Sequence, residues 1–152
     1  MSRMFQEIPI PEVVALDIEV EESLKGFPDP ENAKQKVISF SIWSGDRGMV
    51  YAINKDNVKR EIKNAVLYED EVELLTALRN VINNATILLT FNGDGFDMPY
   101  IYNRMKKLGL QVPNMFSPAK YNTTGKRFYN DYWYLTNGIH IDLYLFFKNR
   151  AI

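Results

Sequence analysis

The stretch Val13-Val14-Ala15-Leu16-Asp17-Ile18-Glu19-Val20 decides how the rest of the chain is read. Its β-branched content and its end at Glu21-Glu22 predict a buried strand rather than a turn of helix. Side chains alternate along a strand, so Asp17 and Glu19 share one face while Leu16, Ile18 and Val20 take the other. Two neighbouring carboxylates on a central strand repel each other and resist burial unless something positive neutralises them. A divalent cation suits such hard oxygen donors, and Mg²⁺ or Mn²⁺ is the natural candidate. A solvated polar face on an edge strand accounts for the same pattern, and this stretch alone leaves both readings open.

Working outward, Gly26-Phe27-Pro28-Asp29-Pro30 forbids regular structure and predicts a loop. Lys36 to Trp43 reads as a second strand, Ser44 to Gly48 as a turn, and Met49 to Ile53 as a third strand, which makes an antiparallel meander. Asp56 to Tyr68 is ambiguous between loop and a short strand at Val66-Leu67-Tyr68. Asp70 with Glu73 forms a capping box, and Leu74, Leu75, Leu78, Val81 and Ile82 share a helical face that ends at Asn83-Asn84. Thr86 to Phe91 predicts a short, fully buried strand added in parallel to the meander.

Asn92-Gly93-Asp94-Gly95 predicts a tight turn in which the glycines supply positive φ. Asp97 is expected to cap the next helix, with Pro99 in its first turn and Gly109 at its end. Phe128 to Leu135 is read as one strand of a long hairpin, and Gly138 to Leu145 as the last strand. The expected architecture is α/β: a mixed sheet of antiparallel meander and parallel strands, flanked by helices, with an added β-hairpin.

The chain has 152 residues, a size that fits a single domain, and residues 1–152 are read as one. It contains no cysteine, which excludes disulfides and thiolate metal sites. No apolar run reaches the length of a membrane span and no signal-peptide core precedes the first strand, so a cytoplasmic, membrane-free protein is expected. The formal net charge of −1 argues against a globally basic nucleic-acid binder. The charge is unevenly spread, however. Met98 to Asn130 contains no acid but holds Arg104, Lys106, Lys107, Lys120, Lys126 and Arg127, whereas the first third is acid-rich. Acids facing a basic, aromatic segment can hold a polyanion over metal ions; chance clustering on solvated surfaces gives the same pattern. Lys106, Lys107, Lys120, Lys126 and Arg127 are the residues that would track phosphates. The absence of a GxxxxGK loop leaves nucleotide triphosphate hydrolysis unsupported.

A strand followed by a turn and Asp97 offers a third acid to the pair on the first strand, provided the two strands are neighbours. Leu16-Asp17-Ile18-Glu19 resembles the first exonuclease motif of the proofreading domain of family B DNA polymerases. Asn92-Gly93-Asp94-Gly95-Phe96-Asp97 resembles the second. Gly26 to Pro30 ahead of Val37-Ile38-Ser39-Phe40-Ser41, and Gly138 to Tyr144, fall in the same family order. The resemblance implies a ribonuclease-H-like fold and 3′→5′ removal of nucleotides from single-stranded DNA ends. Two divalent ions would serve the reaction, one making a water nucleophilic and the other stabilising the leaving 3′ oxygen. It implies Asp17, Glu19 and Asp97 as catalytic metal ligands, Asn92 and Phe96 as residues that position the DNA 3′ end, and a polymerase domain or subunit as partner.

The family's third motif, Tyr-x-x-x-Asp, occurs at none of the tyrosines of this sequence. The expectation is therefore an exonuclease domain truncated before that motif, with an incomplete two-ion site and possible inactivity on its own. Asp142 is a candidate substitute ligand, although strand alternation or helix capping also explains it. His140, the single histidine, is read as a strand histidine bonded to a neighbour. The alternative function is a non-catalytic ribonuclease-H-like domain that binds single-stranded nucleic acid; an unrelated α/β interaction module requires every motif match to be accidental.

Overall fold

β1 (Val13–Val20) lies third in a six-stranded sheet of order β10-β5-β1-β2-β3-β4, so the strand that carries the two acids is central. The computed structural model describes residues 12–23, 26–121, 127–129 and 132–148, with residues 119–121, 127–129 and 145 described by backbone alone. β1 pairs antiparallel with β2 (Val37–Ser44) from Ala15 opposite Trp43 to Val20 opposite Val37, and β2 pairs antiparallel with β3 (Arg47–Ile53). That is the expected meander. The ambiguous segment resolves into β4 (Ala65–Tyr68), parallel to β3 at the sheet edge.

α1 (Glu71–Asn84) starts where its capping box predicts: Glu73 N–H donates to Asp70 Oδ1 at 2.9 Å, and Glu73 Oε2 in return accepts from Glu69 N–H at 3.1 Å. Its apolar stripe buries Leu74, Leu75, Leu78 and Ile82 against the sheet. β5 (Ile87–Thr90) then runs parallel to β1, with Ala15 opposite Leu89. Only Leu88 and Thr90 of β5 are buried, because its other face is not covered; Phe91 beyond it is exposed. α2 (Asp97–Lys107) adds Met98, Tyr100, Ile101 and Met105 to the same core. It ends in a Schellman turn, with Gly109 at φ +69 and the N–H groups of Gly109 and Leu110 donating to Lys106 and Met105.

Both helices therefore cover the face of the sheet that carries Val14, Leu16, Ile18, Phe40 and Leu88. The opposite face leaves Val13, Trp43, Val50, Ile139 and Ile141 exposed. Asp17 and Glu19 belong to that open face.

The last third departs from expectation in two places. Phe128 to Leu135 is not one strand. β7 (Ala119–Tyr121) and β8 (Arg127–Tyr129) form one antiparallel pair, while β6 (Met115–Phe116) and β9 (Tyr134–Leu135) form another. The aromatic rings split accordingly: Trp133 packs on Tyr102 at 5.1 Å and Tyr134 on Phe116 at 5.6 Å. The final strand, β10 (Ile139–Asp142), stops at Asp142, and Leu143–Lys148 is a helix, α3. Asp142 Oδ1 accepts from Tyr144 N–H at 2.9 Å, so the aspartate starts that helix as an N-cap. Among the described residues, no helix is long and apolar enough to cross a membrane.

Candidate metal and nucleic-acid site

Strand alternation on β1 places Asp17 and Glu19 on one face and buries Leu16 and Ile18 on the other, as the sequence predicts. β5 accompanies β1 only as far as Ala15, which leaves the later backbone groups on that edge of β1 without a ladder partner from β5. Asp97 fills the gap. Its Oδ1 accepts from Ile18 N–H at 3.1 Å across 79 residues of sequence. Asp97 is therefore the first residue of α2, with Phe96 in the cap position and no side-chain cap bond, rather than the N-cap expected from sequence. Burial of a ladder-type N–H outweighs capping here: an unsatisfied buried amide costs about 1–3 kcal/mol.

Asp97 is 4% exposed. Burial pushes its carboxyl up to about 6; the Ile18 N–H works against this, and the charges of Asp17 and Asp142 add to it. Asp17 is exposed by area, yet the surrounding protein removes enough water to raise its pKa as well. The structure thus brings Asp17 and Asp97 within electrostatic reach on the two sides of Ile18, with no lysine or arginine among the causes acting on either. Glu19 shares the open face with Asp17 but is not joined to Asp97 by a bond. Among the described residues no three acids or histidines form a ready cage for a metal ion. The donors fit a hard divalent cation in kind: Asp17 and Glu19 offer carboxylate oxygens on the open face of β1, and the Asp97 carboxyl feels the charge of Asp17.

Asp97 is delivered by the turn Asn92–Phe96. The residue with positive φ is Asn92 (φ +61), and neither Gly93 nor Gly95 takes that conformation. The glycines serve close approach instead. A Cβ at Gly93 would lie 2.1 Å from Thr90 Oγ1, and one at Gly95 2.8 Å from Asn92 Oδ1. Asp142 accepts from Asn92 N–H at 2.8 Å and from Asp94 N–H at 3.0 Å, so both of its oxygens are engaged by backbone amides. A role for Asp142 as substitute ligand finds no support in that arrangement.

Asp94 faces away from the acid pair. Its Oδ1 accepts from Trp133 N–H at 2.7 Å and lies 3.4 Å from His140 Nδ1. His140 Nδ1 donates to the Trp133 carbonyl at 3.0 Å, and Nε2 meets Thr90 Oγ1 at 2.8 Å. Burial lowers the imidazole pKa, but the Asp94 bond, the Trp133 carbonyl and the charges of Asp94 and Asp142 together raise it above its ordinary value. The expected strand histidine bonded to neighbours is what the structure contains.

Phe96 stands between two rings: Phe27 at 5.1 Å and Tyr100 at 5.3 Å. Phe27, read from sequence only as part of a loop, is 82% exposed. The signal available was a large aromatic inside a Gly-Pro loop that has no strand or helix pattern to bury it. A groove of about 450 Å³ lies beside Asp17, lined by residues that include Ser41, Trp43, Thr90 and Phe91.

The basic segment is less uniform than its charges suggest. Arg104 is buried: its Nε and Nη2 bind Glu71 at 2.8 and 2.7 Å, and Nη1 reaches the Ala33 and Lys34 carbonyls. It is withdrawn from any polyanion. Glu71 also accepts from Val37 N–H at 2.8 Å, so this pair locks α1, α2 and the start of β2 together. Nothing in the local sequence marks the pair, which lies 33 residues apart. Lys106 sits over the Tyr102 ring at 5.2 Å and Lys107 donates to the Asn32 carbonyl. The backbone of Arg127 lies in β8, and Lys126 lies outside the described residues.

A family model described as DNA polymerase family B, exonuclease domain, matches residues 1–151. DNA polymerase 1 of Sulfurisphaera ohwakuensis is 42% identical over 152 residues, which cover 96% of this chain and 16% of that protein. DNA polymerase 1 of Sulfolobus acidocaldarius is 36% identical over 153 residues, with the same shares. DNA polymerase 1 of Aeropyrum pernix is 32% identical over 156 residues, 96% of this chain and 15% of that protein. The chain therefore spans about one sixth of the length of these relatives.

Proposed function

Because the chain belongs to the exonuclease-domain family of family B DNA polymerases, we propose that it removes nucleotides from the 3′ end of single-stranded DNA, with Asp17, Glu19 and Asp97 holding Mg²⁺ or Mn²⁺. The observation that carries this reading is the bond from Ile18 N–H to Asp97, which joins the two motif segments at the acid-bearing strand. When bound, divalent ions would supply a nucleophilic water and neutralise phosphate charge. The protein's own contribution would be placement: β1 presents Asp17 and Glu19 on an uncovered face, and the helix start after the Asn92 turn docks Asp97 on the N–H of Ile18. Phe96 and the exposed Phe27 offer ring faces on which terminal bases can stack, and Asn92 offers a polar contact at the same turn. Lys126 and Arg127 belong to the proposed DNA track by charge alone. In the longer relatives' setting, residues 1–152 would form one domain beside a polymerase domain.

The test is digestion of 5′-labelled single-stranded DNA in Mn²⁺. A ladder that disappears in Asp17→Ala supports exonuclease action. A second reading rests on the exposed Phe27 ring beside Phe96: a domain that grips single-stranded DNA without cutting it. Salt-sensitive binding with no ladder would select that reading. Neither ladder nor binding would sink both.

A further inference from the structure

We infer that Asp142 is a positioning residue, whose carboxylate at the end of β10 fixes the Asn92–Phe96 turn so that Asp97 reaches β1. The inference rests on the proposed role of Asp97 for its functional meaning, but its geometry stands independently. Asp142 lies opposite Thr90, the last residue of β5 before the turn. Its Oδ1 accepts from Asn92 N–H and Tyr144 N–H, and its Oδ2 accepts from Asp94 N–H. Bonds from amide N–H to an ionised carboxylate are among the stronger hydrogen bonds, and here they converge on a single side chain.

The turn transmits that anchorage. Gly95 and Phe96 N–H donate to the Asn92 carbonyl at 3.1 and 3.0 Å, and Met98 N–H donates to the Gly93 carbonyl at 2.9 Å. The segment from Asn92 to Met98 is thus one hydrogen-bonded unit, held at one end by Asp142 and docked at the other by Asp97 on Ile18. Asn92 sits at φ +61, in the left-handed region that asparagine adopts more readily than most non-glycine residues. The carboxylate of Asp142 engages the N–H of Asn92 itself and so holds the turn at that residue. That engagement gives Asp142, at the end of β10, a task separate from that of Asp97 at the start of α2.

Amide hydrogen exchange by NMR on the 152-residue chain tests this. Asp142→Ser keeps a hydroxyl able to cap Tyr144 N–H but cannot accept from both turn amides. The expected result is exchange about tenfold or more faster at Asn92, at Asp94 and at the distant Ile18 amide, with β2 amides unchanged. Unchanged protection at Ile18 overturns the proposal, because Asp142 would then only cap α3. Asp142→Asn, which keeps the shape but turns a donor toward Asp94 N–H, serves as a second variant and is expected to deprotect Ile18 as well. Mn²⁺ titration of the same proteins separates the two claims. Both variants are expected to weaken binding about tenfold, the scale at which outer groups act on metal sites. A wild-type chain that binds no Mn²⁺ would refute the metal reading alone, while Ile18 exchange still decides the role of Asp142.

Discussion

Asp97 Oδ1 lies 3.1 Å from the backbone nitrogen of Ile18, so a side chain from the start of α2 completes the hydrogen bonding of β1 between its two acidic residues. One bond thereby ties sheet integrity to the gathering of carboxylates. It also separates what Asp97 does for stability from what it does for chemistry.

Asp97→Ala leaves the Ile18 N–H buried and unpaired, and is expected to destabilise the chain by about 1–3 kcal/mol in urea unfolding. Asp97→Asn keeps an acceptor and removes a buried charge, so in metal-free buffer at pH 7 it should be at least as stable as the wild type. Equal losses in the two variants would contradict the assigned bond.

The raised pKa of Asp97, about 6 against 3.8 for an ordinary aspartate, makes the folded state the better proton acceptor. In metal-free buffer this contributes stability that is complete below the unfolded value and is lost as the pH rises through about 6. Between pH 4 and pH 7 the stability of the wild type relative to Asp97→Asn should fall by roughly 2–3 kcal/mol, read from paired urea titrations. A pH-independent difference would show that the carboxyl is not desolvated as described.

Gly93→Ala drives a Cβ to 2.1 Å from Thr90 Oγ1, whereas Gly95→Ala meets the movable end of the Asn92 side chain at 2.8 Å. The first is expected to cost about 1–3 kcal/mol, the second clearly less. Thermal unfolding of the two variants checks the order.

Glu71→Ala strands the buried Arg104 guanidinium and removes the acceptor of Val37 N–H. A loss of about 3–5 kcal/mol in urea unfolding is expected. Lys107→Ala, on the exposed side of the same helix, should stay within about 0.5 kcal/mol.

How far the sequence could be read follows from where the forces are local. The alternation of β1, the capping box at Asp70 and the Gly109 stop are encoded within a few residues, and each appears as expected. Asp17 and Glu19 were visible as a pair because a strand has period two. The partner of Asp97 was not visible, because β5 ends short of Ile18 and nothing in the turn itself reveals which open N–H it will meet. The same holds for Glu71 and Arg104, 33 residues apart, which meet only when α1 and α2 pack. Asp142 reads as a strand residue because Ile139, Ile141, Leu143 and Leu145 alternate with His140, Asp142 and Tyr144; the helix that follows is set by the cap, which that alternation does not encode.

The most direct test of the acid cluster is Mn²⁺ binding followed by the loss of free-ion signal in electron paramagnetic resonance. Saturable binding is predicted for the wild type, weakened about tenfold or more by Asp17→Asn and by Asp97→Asn, while Glu22→Gln, exposed just beyond the end of β1, leaves it unchanged. Binding that is absent in the wild type, or equal in all four proteins, would contradict the account.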